Sequence, residues 1–290
     1  VIQRIGKQEV SLKYMKHIVL NILLLFALIT NAQDIKRTAI WYFGENAGID
    51  FNTTPPTALT DGQVNTIEGC ASICDTNGNL LFYTDGRTVW NKYHDTMLNG
   101  FGLLGHPSSA QSALIIPKPE TDSIFYVFTT SGNCDVSEIN VKGNNGKGEV
   151  IYKNKKLVTT TGEKQTAVKH TNGLDYWLIT HGAKNDLFYS FLITKDGIST
   201  CPIVSKIGTD MALQPNYNNQ GTMKANPQGN KVAICLYAAY YVEVYDFNNT
   251  LGILSNIKIL PTNGTSFGLE FSPNGNLLYI INLDKDLIQF

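Results

Sequence analysis

A chain of 290 residues that is 43% apolar and 16% charged has ample material for a core and too little charge for a disordered or coiled-coil protein. With 23 basic against 24 acidic residues and a net charge of −1, it offers no basic field for phosphate backbones or an anionic membrane surface, so nucleic acid is not an expected partner. The 25 glycines, 14 tyrosines and 13 phenylalanines favour strands joined by tight turns, an all-β composition.

The first element in chain order is an address. Met15, Lys16 and His17 precede the apolar run 18–29, broken only by Asn21, and Thr30, Asn31 and Ala32 follow. A basic start, a short apolar stretch and a small residue at the cut predict a secretory signal peptide over 15–32, cleaved between Ala32 and Gln33. The run is well short of the roughly 20 residues that a spanning helix needs, so no membrane span is expected after cleavage. No cysteine follows it where a lipid would be attached. Residues 1–14 carry Arg4, Lys7, Glu9 and Lys13, which no signal peptide needs, and read as an upstream extension outside the fold.

From Gln33 to Phe290 the pattern is short strand, turn, short strand. Segments 40–43, 80–83, 88–90, 113–116, 124–128, 176–180, 187–193, 232–236, 242–247 and 277–281 are β-branched or aromatic runs. Gly, Asn, Asp and Pro bound them at 75–78, 171–173, 195–197, 226–229 and 272–275, and 143–148 reads as a hairpin tip. No segment of the mature chain keeps an apolar period of 3.6 over three turns.

The turns recur with a fixed neighbourhood. The stretch 221–234 aligns with 268–280, placing Pro227 and Pro273 about 46 positions apart, and 166–179, 112–128 and 69–83 repeat the same strand, Gly turn and aromatic strand. Five copies at this spacing predict a β-propeller of four-stranded antiparallel blades over 33–290, because such blades bury their faces only against one another. A β-sandwich is the competing architecture. The last copy stops before an outer strand, so the chain reads as an incomplete, truncated ring.

The chemistry-bearing residues form no catalytic set. Cys70, Cys74, Cys134, Cys201 and Cys235 are odd in number, and Cys70 and Cys74, about 13 Å apart along one strand, read as small buried side chains and not as a disulfide. His94, His106, His170 and His181 share no metal-ligand spacing, and His181 reads as a hydrogen-bonded strand-end histidine. Asp85-Gly86 resembles a sialidase Asp-box but lacks its spacing, so it reads as a hairpin turn with Trp90 packed on the blade. Asp75 to Asn79 breaks the calcium-loop pattern and reads as a turn. No metal or cofactor is expected.

Some strings are more specific. Trp41-Tyr42-Phe43-Gly44-Glu45-Asn46-Ala47-Gly48-Ile49-Asp50-Phe51, then Glu68-Gly69-Cys70-Ala71, then Asn79-Leu80-Leu81-Phe82-Tyr83-Thr84-Asp85-Gly86 with Val89-Trp90-Asn91, resemble the N-terminal propeller of Bacteroidetes surface proteins. Those proteins carry gliding-motility-associated (type B) C-terminal sorting domains and leave by the type IX secretion system. The likeness extends through Gln111-Ser112-Ala113, Glu163 to His170 and Phe271-Ser272-Pro273-Asn274-Gly275, covering nearly all of 39–290. It implies a secreted or cell-surface destination, or the periplasm if the chain truly stops at Phe290, with the type IX machinery as a partner if a sorting domain lies downstream. It supplies no catalytic residues.

The leading functional expectation is a non-enzymatic binding, adhesion or scaffolding propeller facing a surface glycan or protein. The alternative is a secreted glycan-active enzyme, which needs two carboxylates across a channel mouth. Asp50, Asp61 and Glu68 are its candidates.

Overall fold

The computed structural model describes residues 35–213, 219–283 and 286–290. The cleavage site at Ala32 and Gln33 and the extension 1–14 lie outside the described residues.

The described residues form six antiparallel sheets in chain order. Sheet 1 holds β1 (Ile40–Phe43), β2 (Ala47–Asp50) and β3 (Thr57–Leu59); sheet 2 holds β4 (Ala71–Cys74), β5 (Leu80–Thr84), β6 (Thr88–Asn91) and β7 (Thr96–Phe101). Sheet 3 is β8 (Ala113–Pro117), β9 (Ile124–Thr130), β10 (Asn133–Asn140) and β11 (Glu149–Thr159), joined to sheet 2 through one parallel bridge between Glu149 and Leu98. Sheet 4 is β12 (Thr161–Lys169), β13 (Tyr176–Gly182) and β14 (Leu187–Thr194), with β15 (Gly197–Ile198) and β16 (Ile203–Lys206) both paired to β14. Sheet 5 is β17 (Met223–Ala225), β18 (Lys231–Leu236), β19 (Tyr241–Asn248) and β20 (Ile253–Pro261). Sheet 6 holds β21 (Ser266–Phe271), β22 (Leu278–Asn282) and β23 (Leu287–Gln289).

The packing decides between a propeller and a sandwich. Along β9, Phe125 and Val127 enter the core between sheets 2 and 3, while Tyr126 and Phe128 enter the core between sheets 3 and 4. Along β18, Val232, Ile234 and Leu236 face sheet 4, and Ala233 and Cys235 face sheet 6. A sandwich strand buries one face; these bury both, which makes them near-continuous apolar runs. Each large side chain so buried contributes about 1.5–3 kcal/mol. The fold is a β-propeller, its sheets stacked as blades and its innermost strands β4, β8, β12, β17 and β21 side by side.

Each blade's second-to-third-strand turn meets the connection between blades. Asn46 N donates to Val64 O, Gly105 N to Gly86 O, Thr161 N to Gly132 O, Ala183 N to Thr160 O, Thr262 N to Tyr240 O and Leu283 N to Thr265 O. These contacts define one face of the disc, called here the upper face. The Asx and proline turns at 75–79, 170–175, 226–231 and 272–277 lie on the other.

A sixth blade precedes the five sequence copies. The β1–β2 turn at 44–46 sits with the upper-face turns, so β1 corresponds to the second strand of the other blades. Among the described residues, sheet 1 therefore lacks the inner strand and Gly turn on which the repeat was read. Among the described residues, sheets 1 and 6 have three strands each and no strand pairing joins them. Trp41 and Phe51 on sheet 1 pack edge to face at 5.0 Å yet stay exposed, as do Ile281 and Leu287 on sheet 6. Among the described residues no helix is long and apolar enough to cross a membrane.

Candidate functional site

The upper face over blades 2 and 3 is built from a tight turn. Asp85 Oδ1 accepts the backbone N–H groups of Arg87 (2.8 Å) and Thr88 (2.7 Å), and Asp85 Oδ2 pairs with the Arg87 guanidinium at 2.9 Å. Gly86 adopts φ +85, and a Cβ there would strike the Ser112 hydroxyl, which donates to Asp85 O at 2.8 Å. Gly105 then passes close enough for its own Cβ to meet Gly86 O at 2.6 Å. Glycine at both positions lets the connection 102–105 cross the turn. Trp90 stacks on Tyr83 at 5.6 Å, so the hairpin reading of this segment holds.

Over this turn lies a cavity of about 640 Å³ bordered by Gln63, Arg87, Trp90, Phe101, Asn133 and Asp135. That volume falls in the range of about 300–1,000 Å³ in which small-molecule sites lie. Asp135 is 2% exposed, and its Oδ1 is buried without a hydrogen-bond partner. Burial pushes its carboxyl above the usual carboxylate range, partly offset by the nearby Lys156 ammonium. Its cross-strand neighbour Thr129 also has a buried, unpartnered Oγ1. Buried polar groups in folded proteins are almost always satisfied, so an unpartnered acidic oxygen in a residue that borders a cavity marks this wall as a candidate site.

The hairpin tip between β9 and β10 separates this cavity from a second of about 340 Å³, bordered by His106, Ser131, Thr161, Glu163, Lys184 and Asn219. Ser131 borders both. Thr161 is 1% exposed and its Oγ1 has no partner. Glu163 accepts from Ala110 N at 2.9 Å; burial and then the Glu68 charge raise its carboxyl above its ordinary range. Beside it, Lys164 is fully buried, donates to Gln220 O and is brought down by desolvation to about 7.

The structure does not bring the three carboxylates expected from sequence together. Asp50 ends β2 away from the 44–46 turn and caps its own loop, accepting Asn52 N at 2.8 Å. Asp61 sits on the flank between blades 1 and 2, accepting the Tyr42 hydroxyl at 2.8 Å and lying 3.3 Å from His94 Nε2. Glu68 alone reaches the channel mouth, where Oε1 accepts from Ser108 Oγ at 3.4 Å and Oε2 is buried without a partner. Its companion there is Glu163.

Cys70, Cys74, Cys134, Cys201 and Cys235 are all free thiols; Cys74 is buried in β4, whereas Cys70 precedes that strand and is half-buried. His181 is buried, its Nδ1 hydrogen-bonds Gly182 O at 2.7 Å, and burial lowers it to about 4. Among the described residues no three His, Cys, Asp or Glu side chains gather as metal ligands would. Asp135 escaped sequence reasoning, although a charged residue inside a strand whose neighbours Cys134 and Val136 point into a core is the signal that marks it.

No protein-family model matches the sequence, and neither does any curated protein. Among solved structures, Hsv2 of Kluyveromyces lactis, a β-propeller, is similar over 88% of this chain and 71% of its own, at 12% identity and a TM-score of 0.51. Hydrazine synthase of Kuenenia stuttgartiensis matches at 13% identity over 87% of this chain and 80% of its own (TM-score 0.49). A putative 6-phosphogluconolactonase of Bacteroides uniformis matches at 14% over 82% and 71% (TM-score 0.49). Identities this low speak to the fold alone, and on that point the Hsv2 likeness agrees with the blade packing.

Proposed function

We propose that this chain is an exported, non-enzymatic propeller that binds a surface glycan or protein with its upper face. The observation that carries the reading is Asp135, a buried acidic residue with an unpartnered oxygen that borders a 640 Å³ cavity. Export is supported by the signal-peptide pattern at 15–32, and a cell-surface destination through type IX secretion by the resemblance of strings such as 41–51 and 79–91. The test offers the bead-coupled protein fractionated envelope polysaccharides and envelope proteins. Retention of one fraction by the native chain, lost in Asp135→Asn, supports the reading; equal retention by both chains overturns it.

A second reading rests on Glu68 and Glu163. Two carboxyl groups, one of raised proton affinity, are the arrangement of acid and base in glycoside hydrolysis, and burial raises the proton affinity of Glu163. It is the weaker reading, because both groups are engaged with the 108–110 segment and the larger cavity lies beyond the tip.

A further inference from the structure

We propose that the two cavities flanking the β9–β10 tip are consecutive subsites for a linear neutral oligosaccharide, one ring beside Phe101 and Asp135 and the next beside Thr161. The inference rests on the binding-module reading and deepens it by naming the ligand class.

Four observations carry it. Asp135 and Thr161, each more than nine-tenths buried, border one cavity each, and Asp135 Oδ1 and Thr161 Oγ1 are unpartnered. Supplying a partner removes the cost of leaving a buried polar atom unmatched, and sugar hydroxyls can donate to the carboxylate and exchange donor and acceptor roles with the threonine. Phe101, 72% exposed, presents an aromatic face at the rim of the larger cavity, where the C–H face of a pyranose can lie. Gln63, Asn65 and Asn133 add planar amides that read hydroxyl pairs, and Ser131 borders both spaces, so one chain can cross the tip.

The charges point to a neutral chain. At the larger cavity Arg87 is paired with Asp85 and Asp135 has Lys156 nearby, and Lys184 and His106 border the smaller with Glu163, so neither space carries the one-sided charge that would select a polyanion or a basic peptide.

The experiment titrates the full chain calorimetrically with cello-, xylo-, manno- and chito-oligosaccharides of one to six units. For one series, affinity should rise about tenfold from one unit to two or three and then level. Phe101→Ala should weaken every length about tenfold, and Thr161→Val only lengths of two and above. Phe101 is exposed, so its loss leaves the core intact, and thermal unfolding of both variants checks the fold. Absence of binding across the panel, equal affinity at all lengths, or indifference to both substitutions overturns the inference. Selection of a Lys- and Arg-rich peptide by the same face, sensitive to Asp135→Asn, also overturns it while leaving the binding-module reading standing.

Discussion

Gln111, just before β8, reaches across to Met223 at the start of β17: its Nε2 donates to Met223 O at 3.1 Å and its Oε1 accepts Met223 N at 2.7 Å. The same Oε1 accepts Gln165 N at 3.2 Å, and Gln165 Nε2 returns a bond to Gln111 O at 2.9 Å. One side chain thus ties the inner edges of blades 3, 4 and 5 across the channel.

Replacing Gln111 with Ala removes three side-chain hydrogen bonds and strands the amide of Met223, whose side chain is fully buried. The expected cost is about 2–4 kcal/mol. Urea unfolding of Gln111→Ala should show an earlier midpoint, with an unchanged slope if the ring still unfolds as one unit.

Lys164 sets a pH dependence. Folded, burial brings its proton loss down to about pH 7; unfolded, the group keeps the ordinary lysine value of about 10.5. Between these the unfolded chain binds more protons, so stability should rise with pH above about 7. The buried thiols of Cys134 and Cys235, pushed up to about 12 and about 11, act in the opposite sense once the unfolded thiols ionise near pH 9. The rise should therefore be visible from pH 7 to about 8.5, and Lys164→Met should flatten it in thermal melts across that interval.

Asp135 should trade stability for binding. Its folded pKa is raised, so the folded chain holds the proton longer and stability falls as pH climbs from the unfolded carboxyl value through the folded one. Asp135→Asn removes that loss. At neutral pH its melting temperature should be higher than that of the native chain, by about 2–4 °C per kcal/mol gained. A residue kept only for the fold would show the opposite.

Export should depend on 15–32 and not on 1–14. Starting translation at Met15 should leave export unchanged, while Leu24→Arg should block it by placing a charge in the apolar stretch. N-terminal sequencing of exported protein should begin at Gln33.

Much of the fold was legible because blade strands are buried on both faces. Segments such as 124–128 and 232–236 stand out as unbroken apolar runs, and the Asn226-Pro227 and Ser272-Pro273 turns give them a period. Blade 1 was hidden from that period because β1 begins at the second-strand position, where no inner strand and Gly turn precede it among the described residues. The site was less legible, since its parts come from separate blades. Phe101 ends β7, Asp135 lies in β10 and Thr161 opens β12, and only the stacking of blades brings them to one face. Conversely, Asp50, Asp61 and Glu68 are near in sequence, yet the crossing from blade 1 to blade 2 carries them to three different places.

The most direct test of a non-enzymatic surface binder follows retention and product release together. The native chain, Asp135→Asn, Glu68→Gln and Glu163→Gln are incubated with the same neutral oligosaccharides, and bound and free sugars are analysed over days. The account predicts that the native chain retains intact sugar without releasing products, and that retention is lost in Asp135→Asn while persisting in Glu68→Gln. Shortened products from the native chain that disappear in Glu68→Gln or Glu163→Gln would contradict it.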